Sequence, residues 1–190
     1  MKNIRYYREL KMCSQEKLMH QILSFSKLSR ESLSLIETGR SRPQLKTVWT
    51  IARGLEITPM ELFTPIEELR DRISLLVTQY QVSSHTEKIP EPSYEINHEV
   101  LKEVLGKNIR YHRRRANISD EEFLEKLGRR CKSLISVWEK GRDYPPTETL
   151  YLISRILGVS ILELVTPRNQ LSGRIAALAE AHNVSLPLAA

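Results

Sequence analysis

The chain is expected to be all-α, made of two tandem five-helix domains, each with an additional C-terminal helix. Three observations predict this. The heptapeptide Lys2-Asn3-Ile4-Arg5-Tyr6-Tyr7-Arg8 returns as Lys107-Asn108-Ile109-Arg110-Tyr111-His112-Arg113. The likeness then continues: Glu37-Thr38-Gly39-Arg40 and Pro43 match Glu139-Lys140-Gly141-Arg142 and Pro145, and Ile51, Leu55, Leu62, Thr64-Pro65, Leu69 and Arg72-Ile73 match Ile153, Leu157, Leu164, Thr166-Pro167, Leu171 and Arg174-Ile175. Finally, apolar residues recur at helical spacing behind capping residues, and no strand pattern of comparable length competes. The offset between copies is 105 at the start and 102 from Glu37 onward, so the first copy carries three extra residues between Arg8 and Glu37. One long period used twice indicates two domains and not a solenoid of short repeats. The boundaries expected are 1–82, a linker at 83–97, and 98–190.

Each element has a local cause. Ile4 and Tyr7 open an amphipathic helix reaching Leu10. Ser14 caps a second helix, with the acid Glu16 in its first turn. Ser29 caps a third, carried by Leu33, Leu35 and Ile36 and ending near Gly39. Pro43 marks the start of a fourth, with Leu45, Val48, Ile51, Ala52 and Leu55 at helical spacing. Thr58-Pro59-Met60-Glu61 is a capping box for a short fifth helix, and Ser160-Ile161-Leu162-Glu163 repeats its polar frame. Thr64-Pro65-Ile66-Glu67 opens a sixth with the same cap pattern, weaker in the second copy, where Arg168, Asn169 and Gln170 follow Pro167. Ile66, Leu69, Ile73, Leu76 and Tyr80 form an a/d seam of two heptads, kept in the second copy as Leu171, Ile175 and Leu178. Such seams either pack on their own domains, pair with each other, or join a second chain or a partner protein. Pro90 and Pro92 punctuate the polar linker, and Val100, Leu101, Val104 and Leu105 form a helical lead-in to the second copy. Trp49 and Tyr151, and Ile36 and Trp138, occupy matching positions and read as core.

Composition narrows the function. The 190 residues carry a net charge of +6. Residues 1–65 hold 11 Lys+Arg against 6 Asp+Glu, residues 66–107 hold 5 against 8, and residues 108–190 hold 13 against 9. Basic repeats around an acidic connector favour a polyanionic partner. Cys13 and Cys131 sit at non-equivalent places, and with no secretory or metal-ligand pattern they suggest a reducing, cytoplasmic or nuclear setting. No apolar run is long enough for a bilayer. No nucleophile or metal constellation argues for an enzyme, and no cofactor is implied.

The order Ile4-Arg5, Arg8, Ser14-Gln15-Glu16-Lys17-Leu18, Leu33-Ser34-Leu35-Ile36-Glu37-Thr38-Gly39 and Pro43 resembles the phage repressor and Cro family of helix-turn-helix domains, often called Xre-type. The second copy reads Ile109-Arg110, Arg113, Ser119-Asp120-Glu121-Glu122-Phe123, Ile135-Ser136-Val137-Trp138-Glu139-Lys140-Gly141 and Pro145. The resemblance implies two lambda-repressor-like folds and a sequence-specific transcriptional regulator of double-stranded DNA, a repressor by family analogy, associated with the nucleoid when bound. It implies that the second helix of the motif lies in the major groove while the first crosses the backbone.

With Leu33 and Ile36 inward, Arg30, Glu31 and Ser34 face out at the start of the third helix, with Leu35 at their edge. Arg30 is suited to guanine and Glu31 to cytosine. By resemblance Gln15 braces the DNA backbone and the reading helix. Arg40, Arg42 and Arg142 follow the Glu-x-Gly turn as phosphate contacts. Each of these has an ordinary solvated residue as its alternative. Glu37 and Glu139 are expected to be internal partners of Arg8 and Arg113. The second copy departs from the family: Asp120, with Glu121 and Glu122, stands where a phosphate should approach, while Arg129, Arg130 and Lys132 supply cations and Ser133, Ser136 and Val137 face out beside Lys132. The first copy has about four extra residues in its turn against the family spacing and lacks the turn glycine, which the second keeps as Gly128; a longer second helix, to Phe25 or Ser26, would absorb one turn. Unequal readers in one chain imply an asymmetric pair of half-sites, ~34 Å apart if spaced as in dimers. The reading of a different class is an antitoxin-like or other protein-interaction module in which DNA is secondary.

Overall fold

The computed structural model describes residues 3–23, 28–89 and 97–188. The first repeat holds α1 (Asn3–Leu10), α2 (Gln15–Ile22), α3 (Arg30–Glu37), α4 (Leu45–Gly54), α5 (Pro59–Phe63) and α6 (Ile66–Gln79). The second holds α7 (His98–Arg115), α8 (Asp120–Lys126), α9 (Ser133–Glu139), α10 (Thr147–Leu157), α11 (Ile161–Val165), a 3₁₀ turn (Arg168–Gln170) and α12 (Leu171–Ala181). The all-helical expectation holds among the described residues. The expected extension of the second helix to Phe25 or Ser26 lies outside them; α2 is helical to Ile22.

Caps start the helices where the side chains allow. The hydroxyls of Ser14, Ser29 and Ser119 accept from the backbone N–H of Lys17, Ser32 and Glu122. Asn97 caps α7, which is one continuous helix through the lead-in and the repeated heptapeptide. Two expected starts are displaced. Pro43 lies outside α4, which begins after Gln44, and its carbonyl instead accepts from the Thr147 hydroxyl of the second repeat at 2.8 Å. Thr64 does not cap α6: it ends α5, and its carbonyl accepts from Asn3 Nδ2 at 2.6 Å. Pro65, with no acceptor side chain, precedes α6 directly.

Within each repeat the first Asn ties the opening helix to the end of the fifth. Asn3 Nδ2 donates to the carbonyls of Glu61 and Thr64, and Asn108 Nδ2 to those of Glu163, Leu164 and Thr166. These bonds satisfy carbonyls that a helix end leaves without partners. Ile4, Leu18, Leu33 and Ile51 in the first repeat, and Ile109, Phe123, Ile135 and Ile153 in the second, are sealed from solvent. Trp49, Ile36 and Trp138 are core as expected, but Tyr151 is 44% exposed. It fails as a core position because it is on the outer side of α10, where Leu152 is exposed as well.

The seams pair with each other: α6 packs against α12 and α5 against α11. Leu69, Ile73, Leu76 and Val77 are buried on one side, Leu171, Ile175 and Leu178 on the other. Each such side chain stabilises the contact by about 1.5–3 kcal/mol when fully buried. The polar contacts around the seam are reciprocal. Tyr80 donates to Glu163 Oε1 at 2.5 Å, and His182 Nε2 lies 2.8 Å from Glu61 Oε1. Tyr80 and His182 are one repeat position, Glu61 and Glu163 another, so the repeats meet as the two halves of a twofold dimer do. The linker's described part, 83–89, runs along α12: Ile89 N–H donates to the Gly173 carbonyl, and Lys88 pairs with Glu180.

The lead-in breaks this symmetry. A Cβ on Gly106 would stand 2.3 Å from the Trp138 carbonyl oxygen, and one on Gly141 2.9 Å from Glu103 Cα, so α7 crosses the end of α9 backbone against backbone. Gly106→Ala is expected to lower stability by about 1–3 kcal/mol through this clash, read as a lower denaturant midpoint; an unchanged midpoint would mean that α7 can lift away freely.

His112 replaces Tyr7 in the buried face of the opening helix, and burial, ahead of neighbouring Arg115 and Arg168, holds its pKa below the ordinary 6.5. Burial does the same to His98. The unfolded chain then binds protons that the folded chain resists. Stability is therefore full above about 6.5 and falls as pH drops through that value. Denaturation at pH 7.5 and pH 5.5 should show the loss, and His112→Tyr should reduce the difference.

Candidate nucleic-acid interface

Each repeat presents a helix pair, α2–α3 or α8–α9, whose second helix is anchored by two inward side chains. Leu33 and Ile36 hold α3, and Ile135 and Trp138 hold α9; all four are buried. The opposite faces are open. Arg30, Glu31 and Leu35 are exposed with Ser34 half-buried, and Lys132 and Ser133 are exposed with Ser136 and Val137 half-buried. The expected outward residues of each helix therefore share one face.

Beneath these helices lies a largely buried ion pair in each copy. Arg8 Nε donates to Glu37 Oε1 at 2.8 Å and its Nη1 to the Cys13 carbonyl; Arg113 Nε donates to Glu139 Oε1 at 2.8 Å and its Nη1 to the Ile118 carbonyl. The pair ties the first helix to the end of the reading helix, as the repeated acids suggested. What joins it next differs. In the first repeat Gln15 Nε2 donates to Glu37 Oε2 at 2.8 Å, so a neutral side chain connects the start of α2 to the end of α3. In the second, Asp120 takes that position and accepts from Arg113 Nη2 at 2.7 Å. The substitution keeps the tie by moving it from the acid to the guanidinium. It also makes the cluster one charge more negative at a helix start where an anion would dock.

The leading cation of each reading helix is already paired. Arg30 Nη1 lies 3.1 Å from Glu16 Oε1, and Lys132 Nζ 2.6 Å from Glu121 Oε1. The hydrogen bond from Lys132 holds the Glu121 carboxyl below its usual range. Glu31 is drawn into the start of its own helix: bonds from its own backbone N–H and the Ser29 hydroxyl hold its carboxyl low. Arg40, Arg129, Arg130 and Arg142 are exposed.

Arg42 is exposed but turned to the other repeat, with Nε 2.7 Å from Glu148 Oε1. The loops around Arg42 and Asp143 face each other across a cleft of about 440 Å³. Tyr144 closes one wall: its ring stacks on Trp49 of the first repeat with centroids 6.3 Å apart, and its hydroxyl donates to the His98 carbonyl at 3.0 Å. The lead-in of α7 thus reaches the contact between the two loops. Gly39 has open space around it, whereas Gly141 lies under α7, so only the first copy presents this turn uncovered.

The sequence places Glu16 and Glu121 in the first turn of the second helix but does not show their pairing with Arg30 and Lys132, nor the roles of Glu148 and Tyr144. For the first two a signal existed, because the same acid stands second in the second helix of both copies. Glu148 and Tyr144 join elements of opposite repeats, and no spacing within one copy reveals them. Among the described residues no group of three His, Cys, Asp or Glu could hold a metal, and no helix is long and apolar enough to cross a membrane.

Known proteins share this frame. The helix-turn-helix family matches residues 4–62 and again 109–164. An uncharacterized HTH-type transcriptional regulator of Sinorhizobium fredii is 36% identical over 70 residues, a stretch covering 37% of this chain and 90% of that protein. No solved structure matches the chain.

The ion pair beneath α3 gives a direct test of the scaffold. Glu37→Ala leaves the partly buried Arg8 without its carboxylate, and the expected loss is at the lower end of about 3–5 kcal/mol, measured by chemical denaturation.

Proposed function

This chain belongs to the helix-turn-helix family, and from that premise we propose that it is a sequence-specific, double-stranded DNA-binding transcriptional regulator, a repressor, working in the cytoplasm on an asymmetric site. Its two domains, 1–82 and 98–190, act together through the linker 83–97. The observation that carries this reading is the reciprocal seam between repeats whose outward faces differ. A twofold contact relates two reading helices as in a dimeric repressor, while Arg30-Glu31-Ser34-Leu35 and Lys132-Ser133-Ser136-Val137 present different chemistry to the groove.

Arg30 reads guanine, and Ser34 and Leu35 contact neighbouring base edges. Glu31, whose carboxyl already engages the helix start, reads cytosine only by leaving that contact. Gln15 and Arg40 position the first domain on phosphates, Arg42 joins them only by leaving Glu148, and Arg129, Arg130 and Arg142 position the second, with Lys132, Ser133 and Ser136 facing the groove. The first domain docks in the family manner. The second, with Asp120 at its α8 start and Gly141 under α7, docks at an altered angle.

Selection of bound sites from random DNA should yield two unlike half-sites in fixed spacing. Against the selected site Arg30→Ala should cost about 1–3 kcal/mol and relax specificity at one base pair. Equal loss on selected and random DNA would make Arg30 a phosphate contact. A palindromic selected site would remove the asymmetry from the proposal.

A further inference from the structure

The exposed pairs Glu16–Arg30 and Glu121–Lys132 are one device built twice. Glu16 and Glu121 stand at offset 105, Arg30 and Lys132 at offset 102, so the pair spans the segment where the first copy holds three extra residues. Different connections between the helices thus end in the same contact, at 3.1 Å and 2.6 Å. In both copies the acid follows the capped residue that opens the second helix, and the cation stands at the start of the reading helix. Nothing in packing requires this, since all four side chains are at least 63% exposed.

We infer that Glu16 and Glu121 are specificity-determining residues that hold the leading cation of each reading helix away from phosphate until a base edge replaces the carboxylate. This rests on the DNA-reading role proposed above. A surface pair is worth little, so a base can displace it. A carboxylate at that place also repels the DNA backbone, and non-specific binding is almost wholly backbone attraction. Arg30 bound to Glu16 adds no net charge to a non-specific complex. On the selected site it leaves Glu16 for a bidentate contact with guanine O6 and N7, a partner that only the matching base pair places in front of the docked helix. Lys132 works as a point charge, so its pair filters charge more than base identity.

The test is the salt dependence of binding by the full chain to the selected duplex and to random duplex. Glu16→Gln keeps the side-chain size and frees Arg30. Its affinity for random DNA should rise at low salt, and it should lose roughly threefold more of that affinity than the parent between 50 and 200 mM salt, the signature of one added phosphate contact. The salt slope on the selected site should stay as it was. In Glu16→Gln with Arg30→Ala the extra slope should vanish. Glu121→Gln, alone and with Lys132→Ala, repeats the comparison in the second copy.

If Glu16→Gln alters random-DNA binding equally with and without Arg30, only net charge is at work and the inference fails. An unchanged slope in both single variants overturns it as well. Equal loss on both DNAs from Arg30→Ala alone would instead remove base reading by Arg30, and a chain that binds neither duplex would remove both ideas.

Discussion

Glu61 and Glu163 each divide their two oxygens between two tasks. One oxygen takes the N–H of the residue that caps the glutamate's own short helix, Thr58 or Ser160; the other meets the far end of the opposite repeat's long helix, His182 or Tyr80. Both carboxylates are buried, 5% and 2% exposed, where an unpartnered charge would be costly. A group held from both sides fixes the angle between them. The same short helices, α5 and α11, receive the side chains of Asn3 and Asn108 at their ends and pack on each other at the seam. The two carboxylates therefore tie the repeats together at the centre of the seam, beside the α6–α12 packing and the outer contacts of Tyr144 with Trp49 and Arg42 with Glu148.

On this symmetric base the second repeat is altered around its Glu-x-Gly turn. Its opening helix is longer, its Glu-x-Gly turn lies beneath that helix, and its buried ion pair takes an aspartate where the first has a glutamine. The three changes lie around the same ion pair and turn. Arg113 must satisfy Glu139 and Asp120 together, and it does so while 9% exposed, so the cluster is compact and carries one negative charge more than its counterpart. The interior of the repeat keeps the first copy's plan. The core positions that hold the helices are shared in place, though His112 stands for Tyr7, Phe123 for Leu18 and Trp138 for Ile36.

The parts legible in the sequence were those whose causes are local or repeated. Capping boxes at Thr58 and Ser160 lie within four residues, and the Arg8–Glu37 pair was readable because Arg113 and Glu139 repeat it. Pro43 and Thr64 misled for a tertiary reason: each gives its carbonyl to a distant side chain, Thr147 or Asn3, and the helix begins later. The seam's period was plain, yet an a/d pattern names no partner, and only the fold shows that Leu69, Ile73 and Leu76 face α12. Trp49 and Tyr151 hold equivalent places in sequence, but Tyr144 covers the first while the second stands exposed on α10. In the candidate interface the outward face of α3 followed from helical period. The acids that hold Arg30, Lys132 and Arg42 did not, because each lies on another element.

Carrying both halves of the seam in one chain has a consequence for dose. Two separate chains that must first find each other occupy a two-part site in proportion to the square of their concentration when dilute. Here the second half is already present at the effective concentration that a short connection imposes. A chain that binds as proposed and associates no further would occupy such a site in direct proportion to its own abundance. On that reading it would also need no self-complementary target, because a change in one half is never copied into the other.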